Sequence, residues 1–152
     1  MNTTMSQHRI LIPVDFTTVS DTALEHAKAV GKAFESEILL LHIIASKKEM
    51  TDARLRMEAW QEKAAKQYPH RVRSAVRIGS VFEDIDDVAV EQDANLVIMG
   101  THGLRGMQFL TGGRALRIVT NCSTPFIITQ ERGIKESGYD DIVVPLDLHQ
   151  DT

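Results

Sequence analysis

Gly100, Gly103, Gly112 and Gly113 are the residues of this chain best suited to chemistry, because they put bare backbone where an anion must be approached. The run Met99-Gly100-Thr101-His102-Gly103 directly follows the apolar segment Asn95-Leu96-Val97-Ile98-Met99, which reads as a buried strand. Gly112-Gly113-Arg114-Ala115 stands just ahead of a helical pattern at Ala115, Leu116, Ile118 and Val119. Glycine has no Cβ to bar unusual dihedrals or close contact, and a helix opening near Gly113 offers unpaired N–H groups to a phosphate. The chemistry implied is capture of a phosphate-bearing ligand, with a nucleotide as the expected cargo.

Other residue types point to no competing chemistry. His42 lies inside an apolar run and reads as a hydrogen-bonded packing residue, and His102 in the glycine loop reads as structural. No His, Cys or carboxylate spacing matches a structural zinc site, and the single Cys122 has no evident activating neighbour. A Gly-x-x-x-x-Gly-Lys-Ser/Thr element is absent, and with it the P-loop lysine for phosphoryl transfer. No catalytic residues are assigned, and at most slow ATP hydrolysis is expected.

The elements that must position the glycines follow from the pattern. With 152 residues, 43% hydrophobic and 25% charged, the chain is long enough for one ordinary core. Ile10-Leu11-Ile12-Pro13-Val14 is a short strand, and Thr17-Thr18 leads into a helix with Ala23, Leu24, Ala27 and Val30 on one face. Residues 38–44 form a continuous apolar strand, and residues 50–68 a more polar helix expected to turn Leu55, Ala59, Trp60 and Ala64 inward. Residues 72–78 alternate as a strand exposed on one side does, and Ser80 with Glu83 resembles a capping box opening a third helix. Residues 95–99, 113–121 and 125–129 supply the fourth strand, the fourth helix and the fifth strand. This alternation predicts an α/β fold: a five-stranded parallel open sheet with helices on both faces, Rossmann-like. Ligands of such sheets bind beyond the carboxyl ends of the strands, where Asp15 and Gly100 fall.

A net charge of −4 and few aromatics disfavour nucleic acid as a partner. The polar start, Met1-Asn2-Thr3-Thr4-Met5-Ser6-Gln7, has no apolar signal core and no stretch is long enough to span a bilayer. With one cysteine, a cytoplasmic protein that keeps off membranes is expected.

The tail holds an internal echo. Asp141-Ile142-Val143-Val144-Pro145-Leu146-Asp147-Leu148 repeats Arg9-Ile10-Leu11-Ile12-Pro13-Val14-Asp15-Phe16 at constant offset, with Pro and Asp in register. Residues 1–132 are therefore read as one domain, 133–138 as a linker and 139–152 as an extra strand resembling the start of a second copy. That strand belongs either to a tandem protein or to pairing with a sheet edge, in this subunit or a neighbouring one.

Together these residues resemble the universal stress protein family, whose fold is the adenine nucleotide α-hydrolase-like sheet of order 3-2-1-4-5. The likeness rests on Ile10-Leu11-Ile12-Pro13-Val14-Asp15-Phe16, Leu40-Leu41-His42-Ile43, and Ile98-Met99-Gly100-Thr101-His102-Gly103 through Gly112-Gly113 to Pro125-Phe126-Ile127. The resemblance implies binding of ATP, or AMP or ADP, with Mg as companion, in a regulatory role without fast turnover. It places Asp15 and the backbone of Ile43 against adenine and ribose, Gly100 against ribose, and Gly103, Gly112, Gly113 and Arg114 against the phosphates, with Pro13 lining the pocket. It also implies a homodimer through the edge strand Pro125-Phe126-Ile127-Ile128-Thr129.

The chain departs from the ATP-binding pattern of that family, Gly, two residues, Gly, nine residues, Gly and then Ser or Thr. Counting from Gly103 to Gly112 leaves eight residues, with Gly113 where Ser is expected; counting to Gly113 leaves nine, followed by Arg114. The first register keeps Pro125 at the family's spacing, and neither supplies the hydroxyl. Its loss removes a hydrogen bond of about 1.5 to 3 kcal/mol to a charged group, and Arg114 and Arg117 either compensate at the phosphates or are solvated. Each site residue also has a structural reading: Asp15 as a helix cap, Gly100 and Gly103 as a strand-to-loop turn, Gly112 and Gly113 as relief of crowding. A nucleotide-free interaction module and an adenylate-forming or ATP-hydrolysing enzyme are the two rival functions.

Overall fold

The computed structural model of the chain describes residues 7–101 and 113–146, the side chains of residues 82 and 113–115 excepted. Five strands form one parallel sheet of order β3-β2-β1-β4-β5. They are β1 (Arg9–Pro13), β2 (Glu37–Ile44), β3 (Val72–Ile78), β4 (Leu96–Gly100) and β5 (Phe126–Thr129), connected by α1 (Thr18–Phe34), α2 (Met50–Gln67), α3 (Val81–Glu91) and α4 (Gly113–Asn121). No described helix is long and apolar enough to cross a membrane.

Strand periodicity divides the core in two. Ile10, Ile12, Ile38, Leu40 and Ile98 point to the face covered by α1 and α2, where Ala23, Leu24, Ala27, Met57 and Ala64 meet them. Leu11, Leu39, Leu41, Val97 and Met99 point to the other, against Ile85, Val88 and Ala89 of α3 and Ile118 of α4. Burial on both faces explains why β2 reads as an unbroken apolar run.

Two local expectations need correction. In α2, Leu55 is 63% exposed and Ala59 is exposed; the inward stripe is Ala53, Met57, Trp60 and Ala64. Leu55 lies two residues from Ala53, about 200° around the helix, and so faces solvent. At the start of α3, the carboxylate that returns to the Ser80 N–H belongs to Asp84, at 2.6 Å, one residue beyond Glu83. A capping box that satisfies both donors stands instead at Ser46 and Glu49, ahead of α2.

Candidate functional site

Reversal of winding between β1 and β4 opens a cleft at the carboxyl ends of the strands. It is lined by Pro13, Val14 and Asp15 after β1, by Leu41, His42 and Ile43 of β2, by Met99 and Gly100 of β4, and by Ser20 and Val81 from the starts of α1 and α3. Four expected site residues, Pro13, Asp15, Ile43 and Gly100, are thus brought together. Gly113 opens α4 as the helical pattern predicts. Gly103 and Gly112 lie outside the described residues, as does the side chain of Arg114.

The chain leaves β1 in a way that aims Asp15. Pro13 has no N–H, and the Val14 N–H carries the pairing one step further onto the Leu41 carbonyl at 2.8 Å. Phe16 then takes a left-handed φ of 65°, costly for an aromatic residue, and the backbone turns into α1. The Phe16 ring is held by contact with His42, at 4.4 Å between centroids, with Trp60 at 5.8 Å, and with the Arg56 guanidinium at 4.3 Å.

Asp15 has one oxygen committed and one available. Its Oδ1 accepts the Thr17 N–H at 3.1 Å, the Thr17 hydroxyl at 2.5 Å and the Ser20 hydroxyl at 2.7 Å. The Asp15 N–H in turn donates to Ser20 Oγ at 3.0 Å. Asp15 therefore organises the turn into α1 without capping the helix: the N-cap is Thr17, which makes no side-chain cap hydrogen bond, and Asp15 accepts no N–H of the first helical turn. Among the described residues Oδ2 has no hydrogen-bond partner, so the same carboxylate presents an acceptor that the turn does not use.

Gly100 is needed for a reason the sequence does not reveal. A Cβ there would stand 2.8 Å from the carbonyl carbon of Val19 and closer still to its oxygen, because the first turn of α1 lies directly on the end of β4. His42 satisfies its expected hydrogen bond, with Nδ1 donating to the Val14 carbonyl at 2.7 Å, which assigns the proton to Nδ1. It also lines the cleft, a role the sequence reading did not give it; its place beside Ile43 at the end of β2 is the available signal. Ser20, five residues after Asp15 on the first turn of α1, carries no sequence signal either, and only its Asp15 contacts identify it.

The helix ends around the sheet differ in charge. α1 carries Asp21 in its first turn, and α3 carries Glu83 and Asp84, whereas the first turn of α4 contains no acid. Of these three N-termini, that of α4 repels an approaching anion least.

Comparison with known proteins is consistent along the chain. The family model described as the universal stress protein family matches residues 7–130. Universal stress protein G of Salmonella typhimurium is 26% identical over 139 residues, covering 80% of this chain and 97% of the relative. The structure of hypothetical protein MJ0577 superposes with a TM-score of 0.69 at 23% identity, covering 82% of this chain and 96% of that one. A universal stress protein from Archaeoglobus fulgidus, solved in complex with dAMP, gives a TM-score of 0.66 at 17% identity, covering 82% and 98%.

Proposed function

The chain belongs to the universal stress protein family, and from that premise we propose that it binds an adenine nucleotide, ATP or its AMP and ADP relatives, as a regulatory ligand without fast turnover. The observation that carries the reading is the cleft at the β1/β4 switch point, where Asp15 Oδ2, unpartnered among the described residues, stands with Ile43 and Gly100. In the proposed arrangement Asp15 and the Ile43 backbone take adenine and ribose, Gly100 takes ribose and Pro13 lines the wall. The phosphates run to Gly103, Gly112, Gly113 and Arg114, toward the helix whose first turn lacks acid. Mg bound with the nucleotide would supply charge neutralisation to its phosphates. The relative from Archaeoglobus fulgidus that carries dAMP supports the ligand class. We further propose a cytoplasmic homodimer through the β5 edge.

Thermal unfolding with Mg-ATP, ADP and AMP tests the ligand. Saturation to one hundred times the dissociation constant should stabilise the wild type by about 2.7 kcal/mol. Asp15→Asn keeps an oxygen for the Thr17 and Ser20 donors, so its unliganded stability should change little while affinity falls about tenfold, or 1.4 kcal/mol. A flat titration into the millimolar range would instead favour the nucleotide-free interaction module, the reading to which Gly113 in place of the family's Ser gives weight.

A further inference from the structure

In the parallel pair β1–β2, every second residue of β2 turns its N–H and C=O toward β1. At one end of the pair the Glu37 N–H donates to the His8 carbonyl at 2.8 Å, and at the other the Val14 N–H donates to the Leu41 carbonyl at 2.8 Å. The intervening residues face β3 instead, as the Ile38 N–H on the Arg71 carbonyl and the Gly79 N–H on the Ile44 carbonyl show, both at 2.9 Å. Ile43 therefore points its backbone groups to the β1 side, and the next bond in the series would run from its N–H to the Val14 carbonyl. That bond is not made.

A side chain stands in its place. The Val14 carbonyl accepts His42 Nδ1–H at 2.7 Å, and the chain then turns away from the sheet at Phe16, so neither the N–H nor the C=O of Ile43 has a backbone partner among the described residues. Packing holds the imidazole to this task. His42 alternates with Leu41 and Ile43 along β2 and so lies on the α2 face of the sheet, where its ring rests on Phe16, itself backed by Trp60 and the Arg56 guanidinium.

We propose that His42 is a positioning residue of the nucleotide site: by taking the Val14 carbonyl it keeps the Ile43 N–H and C=O unpaired at the cleft, as a donor and an acceptor for the base. Adenine matches that pair, with an accepting ring nitrogen beside a donating amino group; guanine presents a donor and an acceptor in the opposite order at the corresponding atoms. Without the imidazole, the Val14 carbonyl and the Ile43 N–H would be an acceptor and a donor left one step apart, and such groups pair with each other. The sheet would then close over the edge that reads the base. The inference rests on the nucleotide reading above and adds the residue that makes this edge available.

Amide exchange on the whole chain and titration with ATP test this. His42→Phe keeps a ring for the Phe16 stack and removes the donor, while His42→Asn returns a side-chain N–H. In the unliganded wild type the Ile43 amide should exchange faster than that of Leu41, and saturating ATP should slow it. His42→Phe should weaken ATP binding about tenfold, the worth of one hydrogen bond, and should slow Ile43 exchange in the absence of ligand; His42→Asn should move both back toward the wild type. A histidine that served packing alone would, on removal, speed exchange along β1 and β2, which is the opposite sign. ATP binding by His42→Phe equal to that of the wild type, or Ile43 exchange no slower in it, overturns the role of His42 and leaves the nucleotide reading standing. An Ile43 amide already protected in the unliganded wild type overturns that role without any variant. A wild type whose melting temperature and Ile43 exchange ignore millimolar ATP overturns both.

Discussion

Single residues around the cleft serve packing and ligand at once. Asp15 starts α1 with one oxygen and offers the other, and Phe16 accepts a strained backbone so that its ring can lie on His42 and Trp60. Gly100 is the sharpest case. A glycine after an apolar strand reads as a special backbone position, yet its necessity comes from the Val19 carbonyl 81 residues away in sequence, which no local pattern displays. Gly100→Ala forces α1 and β4 apart, and overpacking of this kind costs about 1 to 3 kcal/mol. Urea unfolding without any ligand should register that loss; an unchanged midpoint would mean that the helix moves aside freely and that the glycine serves the ligand alone.

At the scale of elements, strands and crossovers were legible because strong apolar runs alternate with helical spacing, and β1, β2, β4 and β5 lie within a residue or so of their expected bounds. α2 is poorly legible because its large aliphatic, Leu55, is on the outside, while the inward stripe uses small Ala53 and Ala64 beside Met57. Small residues give a weak signal in sequence but let a helix lie close to a sheet. The same helix is followed by Tyr68, whose hydroxyl donates to the Ser36 carbonyl at 2.5 Å and touches the position where Gly31 lacks a side chain. Burial pushes the Tyr68 phenol up to about 12. A raised folded value favours the neutral form: the associated stability is complete below about pH 10, the unfolded value, and is lost as pH rises toward 12. Tyr68→Phe should lower stability by about 1 kcal/mol at neutral pH through the orphaned carbonyl, and should flatten the alkaline decline. Urea midpoints across pH 9 to 12 check both; an equally steep decline in the variant would assign the titration elsewhere.

Across the whole molecule, the two ends of the sheet are built for different purposes. Opposite the cleft, the fully buried Glu37 holds Arg73 in a close ion pair, with Arg9 and Arg71 each at 4.0 Å. Arg73 also reaches Gln92 Oε1 at 3.3 Å, while Arg9 Nη1 donates to the Gln92 carbonyl at 3.0 Å, so β1, β2, β3 and the end of α3 are tied together. Removing one partner of a buried pair costs about 3 to 5 kcal/mol. Glu37→Gln should therefore lower the denaturant midpoint strongly while leaving the increment gained from saturating Mg-ATP unchanged; loss of that increment would couple the two ends. The central position of β1 also has a kinetic meaning. Its flanks are β2 and β4, and the Arg9 N–H finds Asn95 Oδ1 at 2.8 Å across 86 residues of chain. Pairings so remote in sequence are slow to close. Helices and the β1–β2 pair can form early in refolding, but the cleft has no second wall until β4 arrives, so the binding site comes into existence only with a pairing that spans more than half of the chain.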